Sequence, residues 1–145
     1  MNAPDPLVLF LPPVQRWFRS ALGEPTAAQR LGWPAIAAGQ NTLILAPTGS
    51  GKTLAAFLAC LDALWQQPDL PRGVRVLYIS PLKALNNDIH RNLQLPLEGV
   101  AQTASDMGMS LPALGAAIRP RRRGSGSFAG RRTFSLPRRN RCICC

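Results

Sequence analysis

The residues best placed to do chemistry in this chain are consecutive: Ala46-Pro47-Thr48-Gly49-Ser50-Gly51-Lys52-Thr53. They fit the Walker A pattern with Ala in place of the first Gly. Small residues let successive backbone N–H groups turn inward as a nest for phosphate oxygens. A helix starting at the end of the loop would aim its positive end at the same point. Lys52 would neutralise the β- and γ-phosphates, and the Thr53 hydroxyl would ligate the bridging Mg²⁺. The competing explanation is a chance Gly-rich turn. Four fixed positions coincide by accident in about one in a hundred chains of this length. Lys is also scarce here, present only at Lys52 and Lys83. The sequence therefore predicts a nucleoside triphosphate site lined by Pro47, Thr48, Gly49, Ser50, Gly51, Lys52 and Thr53.

Gln29 lies seventeen residues before that loop, in Pro25-Thr26-Ala27-Ala28-Gln29. Two readings are open. In the first, Thr26 is a helix N-cap and Gln29 reaches back to it as a capping box. In the second, the Gln29 carboxamide, both donor and acceptor, bonds the N6 and N7 edge of adenine and rejects guanine.

The flanking pattern supplies the elements that would hold these groups. Val14, Trp17, Phe18 and Leu22 have helical spacing after Pro12-Pro13, with Gly23 as a stop. Residues 25–38 predict a second helix ended by Gly39. Asn41–Ala46 reads as a short buried strand, and Leu54, Phe57, Leu58, Leu61, Leu64 and Trp65 as one face of a helix. Pro68–Gly73 is a turn and Val74–Ser80 a strand. Lys83–Leu95 is a candidate helix, and residues 111–118 a candidate third strand. Strand, loop, helix and strand in this order predict an α/β fold with a parallel sheet. Trp33 and Trp65 read as core.

At this point the residues carry a resemblance. PTAAQ, APTGSGKT and ISPLKALNND resemble the Q motif, motif I and motif Ia of superfamily 2 helicases of the DEAD/DEAH-box type. Trp17-Phe18, LGEPTAAQ, GWPAI, NTLILAPTGSGKTLAAFLACLD and VLYISPLKALNNDIHRNLQLPL resemble the Lhr (large helicase-related) family. The likeness runs from about residue 10 to residue 118 and implies the first part of a RecA-like P-loop domain, incomplete as written. It implies ATP and Mg²⁺ as cofactors, with Gln29 selecting adenine. It also implies coupling of ATP hydrolysis to movement along single-stranded nucleic acid, DNA ahead of RNA, with no membrane partner and no small-molecule substrate beyond ATP. Phe10, Trp17 and Phe18 become candidates to stack on adenine. Pro81 and Lys83, in the segment resembling motif Ia, become candidates to touch a strand's phosphate backbone, with a solvated Lys at a helix start as the alternative.

Hydrolysis needs more than a phosphate cradle. A carboxylate must hold Mg²⁺ and a neighbour must position water. The family supplies a DExH sequence, yet no Asp-Glu pair occurs in these residues. The chain as written is expected to lack helicase and ATPase turnover, leaving no catalytic residue to assign.

Charge divides the chain sharply. The net charge is +10, but residues 1–118 hold eight basic and seven acidic side chains, whereas residues 119–145 hold nine Arg and no acid. That tail has no usable period, reads as disordered, and has two explanations. One is a basic nucleic-acid-binding arm. The other is a frameshift. Back-translated and read from the third base of each codon, residues 132–145 can spell HILITTPESLYLL, which resembles the segment expected next in the Lhr family. The frameshift is the preferred reading.

The remaining composition excludes other classes. Apolar residues make up 46% of the chain, enough for a modest core, and mean hydropathy is +0.01. No apolar run approaches the ~18 residues of a membrane helix, and the N-terminus lacks the marks of a signal peptide. Cys60 reads as a buried small hydrophobe. Cys142, Cys144 and Cys145 lack a second ligand pair, so no metal site is expected from them. Cysteine usage suits a reducing cytoplasm. Two other function classes stay open: a non-helicase P-loop ATPase and a basic nucleic-acid-binding module without catalysis.

Overall fold

The computed structural model describes residues 5–67, 75–76, 78 and 85–114. A 3₁₀ turn over Pro6–Leu9 leads into four helices: α1 (Pro12–Ala21), α2 (Ala27–Ala37), α3 (Lys52–Trp65) and α4 (Leu85–Asp106).

Each helix start has a local cause. Proline at the first position of α1 fits a site where a backbone N–H has no helical partner. Helix α2 opens with a complete capping box at Thr26 and Gln29. Gly51, at φ +81°, starts α3, and Gly23 at φ +79° closes α1. A residue with a Cβ takes these angles only with strain.

Helix α3 is the centre of the packing. Ala55, Leu58, Leu61 and Trp65 join Leu7, Phe10, Val14, Trp17, Phe18, Trp33 and Val100 in one core. Ala56, Phe57 and Leu64 are buried as well, and the Phe57 ring lies 5.1 Å from that of Tyr78. The sequence predicted one buried face for this helix; burial on two sides marks it as interior. Trp33 is the keystone. It is 1% exposed, meets Phe10 and Phe18 edge-on at 4.8 and 5.4 Å, and donates its indole N–H to the Ala55 carbonyl at 3.0 Å. These contacts join α2 to α3, the helices that carry Gln29 and Lys52.

Two sequence expectations, the end of α4 and the burial of Cys60, need correction, and the expected strands are unconfirmed among the described residues. Asn41–Ala46 carries no strand assignment, and neither do residues 111–114; among the described residues there is no strand. Burial nonetheless alternates along 41–46, with Leu43 75% and Leu45 84% exposed. The segment presents one face to the helices, where Ile44 packs on the core, and no described residue covers the other. Helix α4 runs eleven residues past the expected end at Leu95. Pro96 and Gly99 look like a stop, but Pro96 is buried with Val100 and Ala104. A Cβ on Gly99 would fall 2.0 Å from the Trp17 indole nitrogen. Cys60 is half-buried, not buried. The expected strand at 74–80 and the tail from residue 119 lie outside the described residues, except for positions 75, 76 and 78.

One buried acid ties the N-terminal segment to α3. The Asp62 carboxylate accepts the Leu11 backbone N–H at 2.8 Å and the Gln66 side-chain amide at 2.5 Å. Burial pushes its pKa above the ordinary 3.8, against the pull of those two bonds. A raised carboxyl pKa means the fold holds a proton that the unfolded chain has released. The group's stabilising contribution is full below 3.8 and is lost as pH rises through the folded value. Asp62→Asn keeps an acceptor for Leu11 without the charge. It should melt a few degrees above the parent at pH 7 and lose that advantage below about pH 4. Thermal melts at the two pH values check this, and a variant less stable than the parent at pH 7 would contradict it.

Candidate nucleotide site

The loop between residue 46 and α3 has the backbone its sequence requires. Gly49 and Gly51 both take left-handed angles, φ +82° and +81°. A Cβ on Gly49 would meet nothing within 4 Å, whereas one on Gly51 would fall 2.7 Å from Gln29 Nε2. Gly49 therefore answers to its backbone angle alone, and Gly51 also to a close neighbour. Thr48 and Gly49 are exposed, with Pro47, at the loop's outer turn; Ser50, Gly51, Lys52 and Thr53 are half-buried at its base. The Ser50 N–H closes the turn on the Pro47 carbonyl at 3.3 Å, and the Gly51 carbonyl accepts the Ala55 N–H at 2.8 Å as the first bond of α3.

Lys52, the first residue of α3, folds back over the loop. Its ammonium donates to the Ala46 carbonyl and, at 2.7 Å, to the Pro47 carbonyl. Thr53 follows in the same helical turn. The first N–H groups of α3 have no helical acceptor, so a cation, free amides and a hydroxyl converge at this end. Ser50 Oγ is buried and has no hydrogen-bond partner among the described residues. Such an orphan is costly unless something bonds it. The donor set suits a polyphosphate with its metal, the group that the loop's sequence predicts.

Gln29 sits directly behind this loop. It is 3% exposed. Its Oε1 accepts the Thr26 N–H at 2.8 Å, and its own N–H donates to the Thr26 hydroxyl at 3.3 Å. The capping-box reading thus describes the bonds the residue makes. Because Thr26 presents a donor, the oxygen end of the carboxamide is fixed, and Nε2 is the end turned to Gly51. The Thr26 hydroxyl in turn donates to the Ser50 carbonyl at 2.8 Å. Sequence reasoning missed this link, since nothing in the spacing pairs residues twenty-four apart.

Other candidates fare differently. Phe10, Trp17 and Phe18 are core residues packed on Trp33, Gly99 and each other, so none offers a face for stacking a base. Pro81 and Lys83 lie outside the described residues, as do Cys142, Cys144 and Cys145. Among the described residues no group of three or more His, Cys, Asp or Glu could hold a metal, and no helix is long and apolar enough to cross a membrane.

Comparison with known proteins gives consistent results. Residues 26–116 match the DEAD/DEAH box helicase family. The chain is 47% identical over 119 residues to the Lhr helicase/probable uracil glycosylase of Mycolicibacterium smegmatis, covering 81% of this chain and 8% of that protein. It is 47% identical over 110 residues to the ATP-dependent helicase Lhr-Core protein 2 of Thermococcus barophilus, covering 74% of this chain and 13% of that one. A solved structure of Mycobacterium smegmatis helicase Lhr bound to ssDNA and AMP-PNP superposes with a TM-score of 0.68 at 50% identity. That match covers 77% of this chain and 14% of the other. The chain thus spans about a tenth of the length of such relatives.

Proposed function

The chain belongs to the DEAD/DEAH box helicase family, with Lhr helicases among its relatives, and on that premise we propose that residues 46–53 bind ATP with Mg²⁺ as part of a helicase motor. The whole motor would couple ATP hydrolysis to movement along single-stranded DNA and to duplex unwinding, in the cytoplasm. One observation carries the reading: two left-handed glycines deliver Lys52 and a Ser50 hydroxyl, unpartnered among the described residues, to the start of a fourteen-residue helix. In this reading Lys52 meets the β- and γ-phosphates, the backbone from Thr48 to Thr53 cradles them, and Thr53 ligates Mg²⁺. Pro47 closes the turn.

Gln29 reads the base. With its oxygen anchored by Thr26, Nε2 is the natural donor to adenine N7, and the second lone pair of Oε1 accepts from the N6 amino group. Pro81 and Lys83 contact the phosphates of a single strand, insensitive to sequence and weakened by salt. The solved relative binds ssDNA and AMP-PNP, which supports both halves of the reading. The predicted parallel sheet belongs to it too, with residues 41–46 and 74–80 as neighbouring strands behind the loop.

The sequence contains no Asp-Glu pair. The 145-residue chain should therefore bind MgATP without turning it over, and phosphate release above background would refute that half of the proposal. Nucleotide titrations test the base-reading role. Gln29→Ala should lower the preference for ATP over GTP by about tenfold, the discrimination expected of one bidentate base contact. An unchanged ratio would leave Gln29 as a helix cap only.

A further inference from the structure

Helix α4 carries Pro96 at its middle. Proline has no backbone N–H, and its ring crowds the carbonyl four residues back. The Asn92 carbonyl therefore takes no helical bond from position 96. The hydrogen-bond ladder is interrupted there, between a first half, 85–95, and a second half, 96–106.

The second half is fixed at every turn. Pro96, Val100 and Ala104 are buried. Gly99 receives the Trp17 indole so closely that a Cβ there would fall 2.0 Å from Nε1 and 2.5 Å from Cδ1. Trp17 is itself core, edge-on to Phe18 at 6.4 Å. The Thr103 hydroxyl donates to the Gly99 carbonyl at 2.8 Å. Beyond Asp106, Gly108 takes φ +69°. Its N–H reaches the Ser105 carbonyl at 2.9 Å, and the Met109 N–H reaches the Ala104 carbonyl at 2.8 Å, the two bonds of a Schellman stop. The first half has less to hold it. Of its described side chains, Asn92, Gln94 and Leu95 are exposed, and Leu93 alone reaches the core, half-buried.

We propose that α4 is a hinged lever: residues 96–106 are bolted to α1 through Trp17 and Gly99, and residues 85–95 pivot about Pro96 as a separately opening unit. Local opening is opposed by the packing and hydrogen bonds that a unit shares with the rest of the fold, and at Pro96 one shared bond is missing. The hinge lies outside the function proposed above but bears on it. Residues 81–83, proposed to touch a strand, come just before the pivoting half. A displacement on that side is absorbed at Pro96 and leaves Trp17, Trp33 and the phosphate loop in place. This consequence rests on the strand-binding reading; the hinge does not.

Hydrogen–deuterium exchange of the full chain, read residue by residue by NMR, tests the hinge, because it reports openings on the scale of minutes to hours. The first four N–H groups of α4 have no helical acceptor and are left out. In the parent, amides 89–95 should be protected at least about tenfold less than amides 100–105. Pro96→Ala restores the missing N–H and a strong helix propensity, and should shrink that difference about tenfold or more. Pro96→Val restores the same N–H and fills more of the buried space, so it serves if the alanine variant does not fold. Gly99→Ala drives out the Trp17 indole and should lower protection at 100–105 instead. Equal protection across α4 in the parent overturns the hinge, and so does an unchanged difference in a folded Pro96→Ala or Pro96→Val. Parent-like protection of 100–105 in Gly99→Ala overturns the role given to Trp17.

Discussion

Replacing Trp33 with alanine is expected to cost about 3–5 kcal/mol of folding stability, the range for removing a fully buried large aromatic. Net stabilities of small domains are about 5–15 kcal/mol, so this one change should remove a large share. Packing, not the hydrogen bond, dominates the loss. The Ala55 carbonyl that accepts the indole N–H lies within α3 and keeps its helical donor, so it is not orphaned. The two edge-on pairs with Phe10 and Phe18 are lost outright, at about 0.5–1.5 kcal/mol each beyond area burial. Trp33→Phe retains an aromatic ring there and should cost less than half as much. Urea unfolding of both variants measures the difference. Equal midpoints for Trp33→Ala and the parent would mean that α2 and α3 are joined by something other than this side chain.

The consequence would reach the nucleotide site. Gln29 lies one helical turn before Trp33 on α2, and Ala55 lies three residues beyond Lys52 on α3. The indole fixes the distance between the base-reading candidate and the phosphate loop. A Trp33 variant that still folds should therefore bind nucleotide less tightly without having touched it.

Some of this was legible from the sequence and some was not, for identifiable physical reasons. The bend of the loop at 46–53 was legible because a nest of amides would demand residues without bulk at fixed positions, and Gly49 and Gly51 do take left-handed angles. The capping box at Thr26 and Gln29 was legible because its bonds close over three residues. The long reach of α4 was not. Pro96 and Gly99 have poor helix propensity, and only tertiary contact explains them: Pro96 is buried, and Gly99 makes room for the Trp17 indole. The Asp62–Leu11 and Thr26–Ser50 bonds were equally hidden, because each joins residues far apart in the chain. The aromatics of α1 were open to two readings, core by periodicity and base stacking by resemblance; Phe18 packs on Trp33 and Trp17 on Phe18, which decides for the core. The strand expected at 41–46 survives only as alternating burial, since a strand is defined by a paired neighbour that its own residues do not encode.

Lys52→Met should cost the site more affinity than any other single change. The ammonium is the one cation in the loop, and charge-assisted bonds contribute about 1.5–3 kcal/mol each. That corresponds to MgATP binding weakened roughly 10- to 100-fold. The fold should hardly notice. Among the described residues Lys52 bonds only the Ala46 and Pro47 carbonyls of its own loop, and methionine is a comparable helix former, so the melting temperature should stay within a few degrees of the parent. The loss should also depend on phosphate number. A cation serving the β- and γ-phosphates matters for ATP and much less for AMP, so the ratio of the two affinities should collapse in the variant. Arginine is not an adequate substitute, because a planar fork cannot replace a compact point charge folded into a tight loop. Competition titrations with a fluorescent nucleotide separate these outcomes. If Lys52→Met bound ATP within about twofold of the parent, the ammonium would be a strut for the loop carbonyls and not a phosphate ligand.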